Sequence, residues 1–136
     1  MSDPKTVANR FYSEVINGHD LSKIDELVSA DFVEHEEFPG VSNNREGVKQ
    51  FFGIFFAAFP DMRADVTHMI AEDDTVVVRA VMKGTHQGEF MGIPATGKRV
   101  EMSMVDIVRI ANGQATEHWG VTDTAALMQQ LGVIPA

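Results

Sequence analysis

The sequence predicts an α+β fold, with helices packed on one face of a strongly curved antiparallel sheet that wraps an apolar cavity. Three observations predict it. Segments of helical spacing run as far as Phe59, alternating runs fill most of the remainder, and the third helical segment is apolar around nearly its whole circumference. A helix of that last kind is buried or lines a cavity.

The elements follow in order. Between Pro4 and Gly18, Val7, Ala8, Phe11, Tyr12 and Val15 fall at helical spacing, with Pro4 suited to a first turn and Gly18 to a stop. Asp20 or Ser22 can cap a shorter helix whose buried stripe is Ile24, Leu27 and Val28, leading into a strand over Asp31–His35. Pro39-Gly40 marks a turn, and Asn43 with Glu46 three residues on resembles a capping box for a helix from Arg45 to Phe59. Period-2 alternation then takes over, from Met62 to Ile70 and from Thr75 to Thr85. Four turn formers (Gly88, Gly92, Pro94 and Gly97) surround Phe90, Met91 and Ile93 in a candidate apolar flap. A last hairpin and a short helix, Thr124–Leu131, close the chain.

At 136 residues the chain suits a single domain, 1–136, large enough to bury about two-thirds of its unfolded surface. Twenty acidic against 11 basic residues give a formal charge of -9 with no basic stripe. Neither nucleic acid nor an anionic membrane surface is an expected partner. The absence of cysteine excludes disulfides, thiolate nucleophiles and Cys-ligated zinc. The N-terminus has no secretory pattern and the longest apolar run, Phe51–Phe59, falls far short of the ~20 residues of a membrane span. A cytoplasmic location is the expectation. Both strand faces are rich in apolar residues, which argues that a second copy covers the outer one, in a homodimer.

The hairpin Asp106–Asp123 carries ionisable groups where a core strand is ordinarily apolar. Asn112-Gly113 is the signature of a two-residue type I′ turn. Pairing Ala111 with Gln114 then opposes Val108 to Glu117, Ile107 to His118 and Asp106 to Trp119, and one face collects Met102, Met104, Asp106, Val108, Glu117, Trp119, Val121 and Asp123. Asp123 has two readings of equal weight, an acid/base group beside an apolar cavity or the N-cap of the last helix. Asp106, interrupting a strand interior, is either a pocket group or the partner of a buried arginine such as Arg79 or Arg99. His35 and His86 lead the strand histidines as pocket imidazoles, and Tyr12 is positioned to point a hydroxyl inward from the first helix. A metal set of Glu34, His35, Glu36 and Glu37 fails because strand neighbours point to opposite faces, so no metal is expected.

The segments RFYSEVINGHDLSKIDELVSADFVEH, AFPDMR, GTHQGEFMGIPATGKRV and DIVRIANGQATEHWGVTD, with LMQQLG, together resemble the SnoaL-like polyketide cyclases of the nuclear-transport-factor-2-like superfamily. The resemblance spans nearly the whole chain. It implies a cone-shaped α+β barrel, usually dimeric, whose interior takes a hydrophobic small molecule, and an intramolecular aldol condensation without metal or cofactor. It also moves the weight at Asp123 toward acid/base catalysis and matches His35 to a pocket histidine. The expected function is therefore a cofactor-independent polyketide ester cyclase with Asp123 and His35 as catalytic groups. Tyr12, Phe52, Phe55, Phe59, His86, Met91, Met104, Asp106 and Trp119 are the expected substrate-binding wall. The alternatives are a non-catalytic ligand-binding or hydroxylation-accessory protein, and an isomerase or epoxide hydrolase, the last requiring an Asp–Arg–Asp arrangement.

Overall fold

Pro4 occupies the first turn of α1 (Pro4–Arg10), where its missing N–H costs nothing. The helix runs on into a π-helical turn, Phe11–Ile16, closed by Asn17 N–H donating to the Tyr12 carbonyl at 2.9 Å. That wider turn buries Tyr12, Val15 and Ile16 together. Asn17 then ties it to the sheet, exchanging hydrogen bonds with both backbone groups of Ala64. The structure, a computed structural model, describes residues 3–135.

A short 3₁₀ turn capped by Asp20 precedes α2 (Ile24–Leu27), whose Ile24 and Leu27 are fully buried. β1 (Val28–Glu34) begins three residues before the expected strand. In α3 (Arg45–Ala58) the cap is Asn44, not Asn43: its Oδ1 accepts from Gly47 N–H at 3.0 Å, three residues on, as an N-cap must. β2 (Arg63–Glu72), β3 (Thr75–Thr85), β4 (Arg99–Ala111) and β5 (Gln114–Thr122) form an antiparallel meander, and α4 (Thr124–Leu131) follows.

The sheet order is β1-β5-β4-β3-β2. It is mixed rather than wholly antiparallel, since β1 lies parallel to β5. The α3 connection carries the chain across the sheet so that the meander starts at the far edge, and its last strand returns beside β1 in the same direction. The helices cover one face, burying Val15, Leu27, Phe55 and Leu127 against Val76, Val78, Ala80 and Met82 of β3. Each such side chain contributes about 1.5–3 kcal/mol relative to exposure.

Besides an irregularity in the β1–β5 ladder between Val28 and Val33, two antiparallel ladders are interrupted. One break lies in the β2–β3 ladder between Val66 and His68. The other falls in the last hairpin: Asn112 and Gly113 both take the positive φ of a type I′ turn, and Ala111 pairs with Gln114 as expected. Ile110 then pairs with Ala115 but Arg109 with Glu117, leaving Thr116 as the extra residue. A bulge inserts one residue and reverses the facing of everything beyond it. The expected opposition of Asp106 to Trp119 is therefore wrong by one: Asp106 opposes Gly120 and Val108 opposes His118.

The flap between β3 and β4 is pinned at its base. His86 and Lys98 pair through backbone, as do Gly97 and His86, while Gln87 and Gly88 N–H groups both donate to the Ala58 carbonyl at the end of α3. Phe90 is buried against Phe55 and Phe59, and Met91 at the tip is exposed. Among the described residues no helix is long and apolar enough to cross a membrane.

At the start of α4, Asp123 Oδ1 accepts from Ala126 N–H at 3.0 Å, and Gly132 ends the helix with φ 80°. Replacing Asp123 by Ala should cost about 1 kcal/mol of stability, with Asn retaining most of it, in urea denaturation. An unchanged midpoint in Asp123→Ala would contradict the capping role.

Candidate functional site

A cavity of about 280 Å³ opens between the helices and the sheet. Its walls are overwhelmingly apolar: Phe11 from the first helical segment, Phe51, Phe52 and Phe55 from α3, Met102 and Met104 from β4. The α3 rings lock one another, Phe51 lying edge-on to Phe52 at 5.1 Å and to Phe55 at 5.2 Å, contacts worth about 0.5–1.5 kcal/mol each beyond their burial.

Against this background one polar cluster stands out. Asp106 on β4 is buried, and its Oδ2 accepts the Tyr12 hydroxyl while its Oδ1 meets His118 Nε2 at 2.8 Å. The other imidazole nitrogen, Nδ1, meets Glu34 Oε1 at 2.5 Å. Each placement follows from local geometry. Tyr12 sits in the π turn, Glu34 is the β1 partner of His118, and His118 faces inward because Thr116 bulges. With a carboxylate on each nitrogen, both must donate, and His118 is an imidazolium. Burial opposes that charge, but the hydrogen bonds to Asp106 and Glu34 outweigh it and hold the pKa up at about 10. Burial and the adjacent Asp106 push the Tyr12 phenol well above its usual range, so its proton stays in place.

Glu36 completes the cluster. Burial alternates past the end of β1: Glu34 and Glu36 are half-buried, while His35 and Glu37 are exposed, Glu37 at the edge of the cavity. Glu36 Oε2 accepts the Thr122 hydroxyl at 2.8 Å, and its N–H donates to Glu34 Oε1 at 3.0 Å. Burial raises its pKa, against the lowering effects of the Thr122 hydrogen bond and the His118 charge. Glu36, Asp106 and His118 each place one potential ligand atom within 4.8 Å of the others. A divalent cation there would have to displace the proton that joins His118 to Asp106.

The residues expected to form the site divide in two. Tyr12, Phe52, Phe55, Met91, Met104 and Asp106 line the cavity. Asp123 does not: it is exposed and occupied as the α4 cap. His35 lies on the outer face, stacked on Trp119 at 4.9 Å and bound to Glu117 at 2.8 Å. Trp119 went outward with the bulge and also carries the Arg109 guanidinium 5.6 Å from its ring centre. Phe59 is fully buried behind the cavity wall. His86 is fully buried too, its Nδ1 accepting from Thr96 N–H at 3.2 Å beneath the flap.

Asp106 has an imidazolium for its partner, not an arginine. No arginine lines the cavity among the described residues, and Arg109 pairs outside with Glu117 and Asp74. With Asp123 also outside, the Asp–Arg–Asp arrangement of an epoxide hydrolase is not formed. Sequence reasoning missed Glu34, Glu36 and His118. The alternation Glu34, Glu36 was a usable signal; the bulge that brings in His118 had none.

Comparison with known proteins agrees with this architecture. The family model for SnoaL-like polyketide cyclase matches residues 6–131. The crystal structure of IdmH from Streptomyces antibioticus, a proposed polyketide cyclase, superposes with a TM-score of 0.84 at 35% identity, covering 97% of this chain and 100% of that one. AclR from Streptomyces galilaeus, a proposed hydroxylase, gives 0.87 at 34% identity over 98% of this chain and 83% of its own. The aklanonic acid methyl ester cyclase DnrD of Streptomyces peucetius is 32% identical over 57 residues, 42% of this chain and 39% of the cyclase's length. The chain belongs to the SnoaL-like polyketide cyclase family.

Proposed function

We propose that this protein is a cofactor-independent cyclase that closes a ring in a hydrophobic small molecule by intramolecular aldol-type chemistry. The observation that carries the reading is the Tyr12–Asp106–His118–Glu34 chain set into the wall of an otherwise apolar cavity. Aldol closure is an isomerisation: a carboxylate removes a proton α to one carbonyl, the enolate carbon bonds to a second carbonyl carbon, and the resulting alkoxide regains a proton. The site offers carboxylates for the first step and, in the His118 imidazolium, a fixed positive charge that favours developing oxygen charge in a water-poor enclosure. Asp106 and Glu34 hold that imidazolium in place. Asp123 and His35, facing away, have no part in this proposal.

A second reading is a ligand-binding or hydroxylation-accessory role, for which the likeness to AclR, a proposed hydroxylase, offers only a link to hydroxylation chemistry. Turnover decides between them. With an aromatic polyketone methyl ester as substrate, wild type should form the cyclised product, and Tyr12→Phe and Asp106→Asn should each lower kcat by about 10²-fold while keeping a native-like fold by circular dichroism. Binding without product in the wild type would favour the accessory role.

Acidity of the cluster gives a separate check. A histidine whose folded pKa is about 10, against ~6.5 unfolded, contributes stability that is complete below pH ~6.5 and lost as pH rises toward 10. Urea midpoints should therefore fall across that interval, and the fall should shrink in His118→Gln. A flat profile in the wild type would contradict the imidazolium clamp.

We further propose a homodimer through the outer sheet face, supported by the exposure of Val77, Val105, Ile107 and, at 76%, Val121. Light scattering should give about twice 15.0 kDa for the wild type and a monomer for Val121→Asp. A monomeric wild type would overturn it.

A further inference from the structure

We infer that Glu36 is the group that exchanges the proton with the substrate, and that Gly120 is the notch that admits it. The inference deepens the acid/base reading above and rests on it. Four carboxylates line the cavity: Glu34, Glu36, Glu37 and Asp106. Glu34 is committed to His118 and to the Glu36 N–H. Asp106 has one oxygen on His118 and the other on Tyr12. Glu37 is exposed. Of the three carboxylates that turn inward, Glu36 alone has no hydrogen bond to His118: its carboxylate accepts only the Thr122 hydroxyl, on Oε2.

Gly120 determines where the other oxygen, Oε1, lies. It is the β4 partner of Asp106 and carries no positive φ, so its backbone does not require glycine. The requirement is steric. A Cβ at this position would stand 2.3 Å from Glu36 Oε1, 2.8 Å from His118 Cε1 and 3.0 Å from Asp106 Oδ1. Glu36 thus reaches over β5 into space that any other residue would fill, and this brings its carboxyl against Asp106 and His118.

The chemistry suits a carboxyl in that place. Glu36 faces Asp106 and Glu34, which disfavour its charge, and His118, which favours it; burial tips the balance and raises its pKa. A raised carboxyl is a stronger base when ionised and still a competent acid once loaded. Glu36 takes the α proton, leaving the electron pair in the enolate. The enolate carbon forms the new C–C bond, the carbonyl π pair moves to oxygen, and that oxygen takes the proton back. Nothing is oxidised or reduced and no other reactant is consumed.

The test uses the full chain with 1-phenyl-2-propanone as probe in D₂O, α-proton exchange being followed by NMR, alongside ring closure of the polyketone ester. Wild type should accelerate exchange over buffer, and Glu36→Gln should lose about 10²-fold of that acceleration. Gly120→Ala meets side chains rather than backbone, the end of Glu36 first and the His118 ring second, so it should displace Glu36 and move the acid limb of the exchange profile to lower pH with a lower plateau, with circular dichroism checking that it folds. Wild-type exchange without ring closure would overturn the cyclase reading and leave Glu36 as the base. Ring closure at an undiminished rate in Glu36→Gln would overturn Glu36 and leave the cyclase. Wild type with neither activity would overturn both, and an unchanged profile in Gly120→Ala would overturn the role of Gly120.

Discussion

The clamp of His118 between Asp106 and Glu34 is the interaction on which the interior depends. It joins β1 through Glu34 to the distant β4–β5 hairpin through Asp106 and His118, with Tyr12 adding the first helical segment. It also sets one positive charge between two carboxylates that burial would otherwise penalise. Removing one member of a buried pair leaves the other uncompensated, at a cost of about 3–5 kcal/mol. The clamp thus fixes the closed end of the cavity and presets the proton inventory there. Tyr12 and His118 are loaded, Asp106 is an acceptor with no spare oxygen, and Glu36 is the adjustable member.

The bulge at Thr116 makes this possible. Without it the hairpin would have put Trp119 inside and His118 outside, an indole against Asp106 with no imidazolium to balance the carboxylate. With it, the outer face receives Trp119, which gathers His35, Arg109 and Glu117 into a half-exposed stack. The same residue insertion therefore builds the polar site within and sets the aromatic surface without. The π turn at Phe11–Ile16 works in the same sense on the helical side, a local departure from regular geometry that buries Tyr12.

Regular features were legible in the sequence because they repeat. The 3.6 period of α1 and α3, the alternation of β2 and β3, the Asn112-Gly113 turn and the apolar flap are patterns that residue spacing carries on its own. The alternation of Glu34 to Glu37 was readable too, but it served only to reject a metal set, and His35 was placed in the pocket where Glu34 and Glu36 stand. What could not be read was any feature decided by one residue of register. The type I′ turn fixed the first two pairs of the hairpin, and nothing local in Gln114-Ala115-Thr116-Glu117 marks where the ladder slips. Every β5 assignment beyond it inherited the error. Asp123 is a different case, since capping and catalysis ask for the same residue type, and what the structure shows of it is an exposed residue capping α4.

The claim that proton transfer centres on the Tyr12, Glu36, Asp106 and His118 cluster is tested most directly by a crystal structure with an aromatic polyketone methyl ester bound. Its rings should lie among Phe51, Phe52 and Met104, with a carbonyl oxygen beside the His118 imidazolium and an α carbon against Glu36. A ligand seated instead on the outer face near His35 and Trp119, or one whose carbonyls approach Asp123, would contradict it.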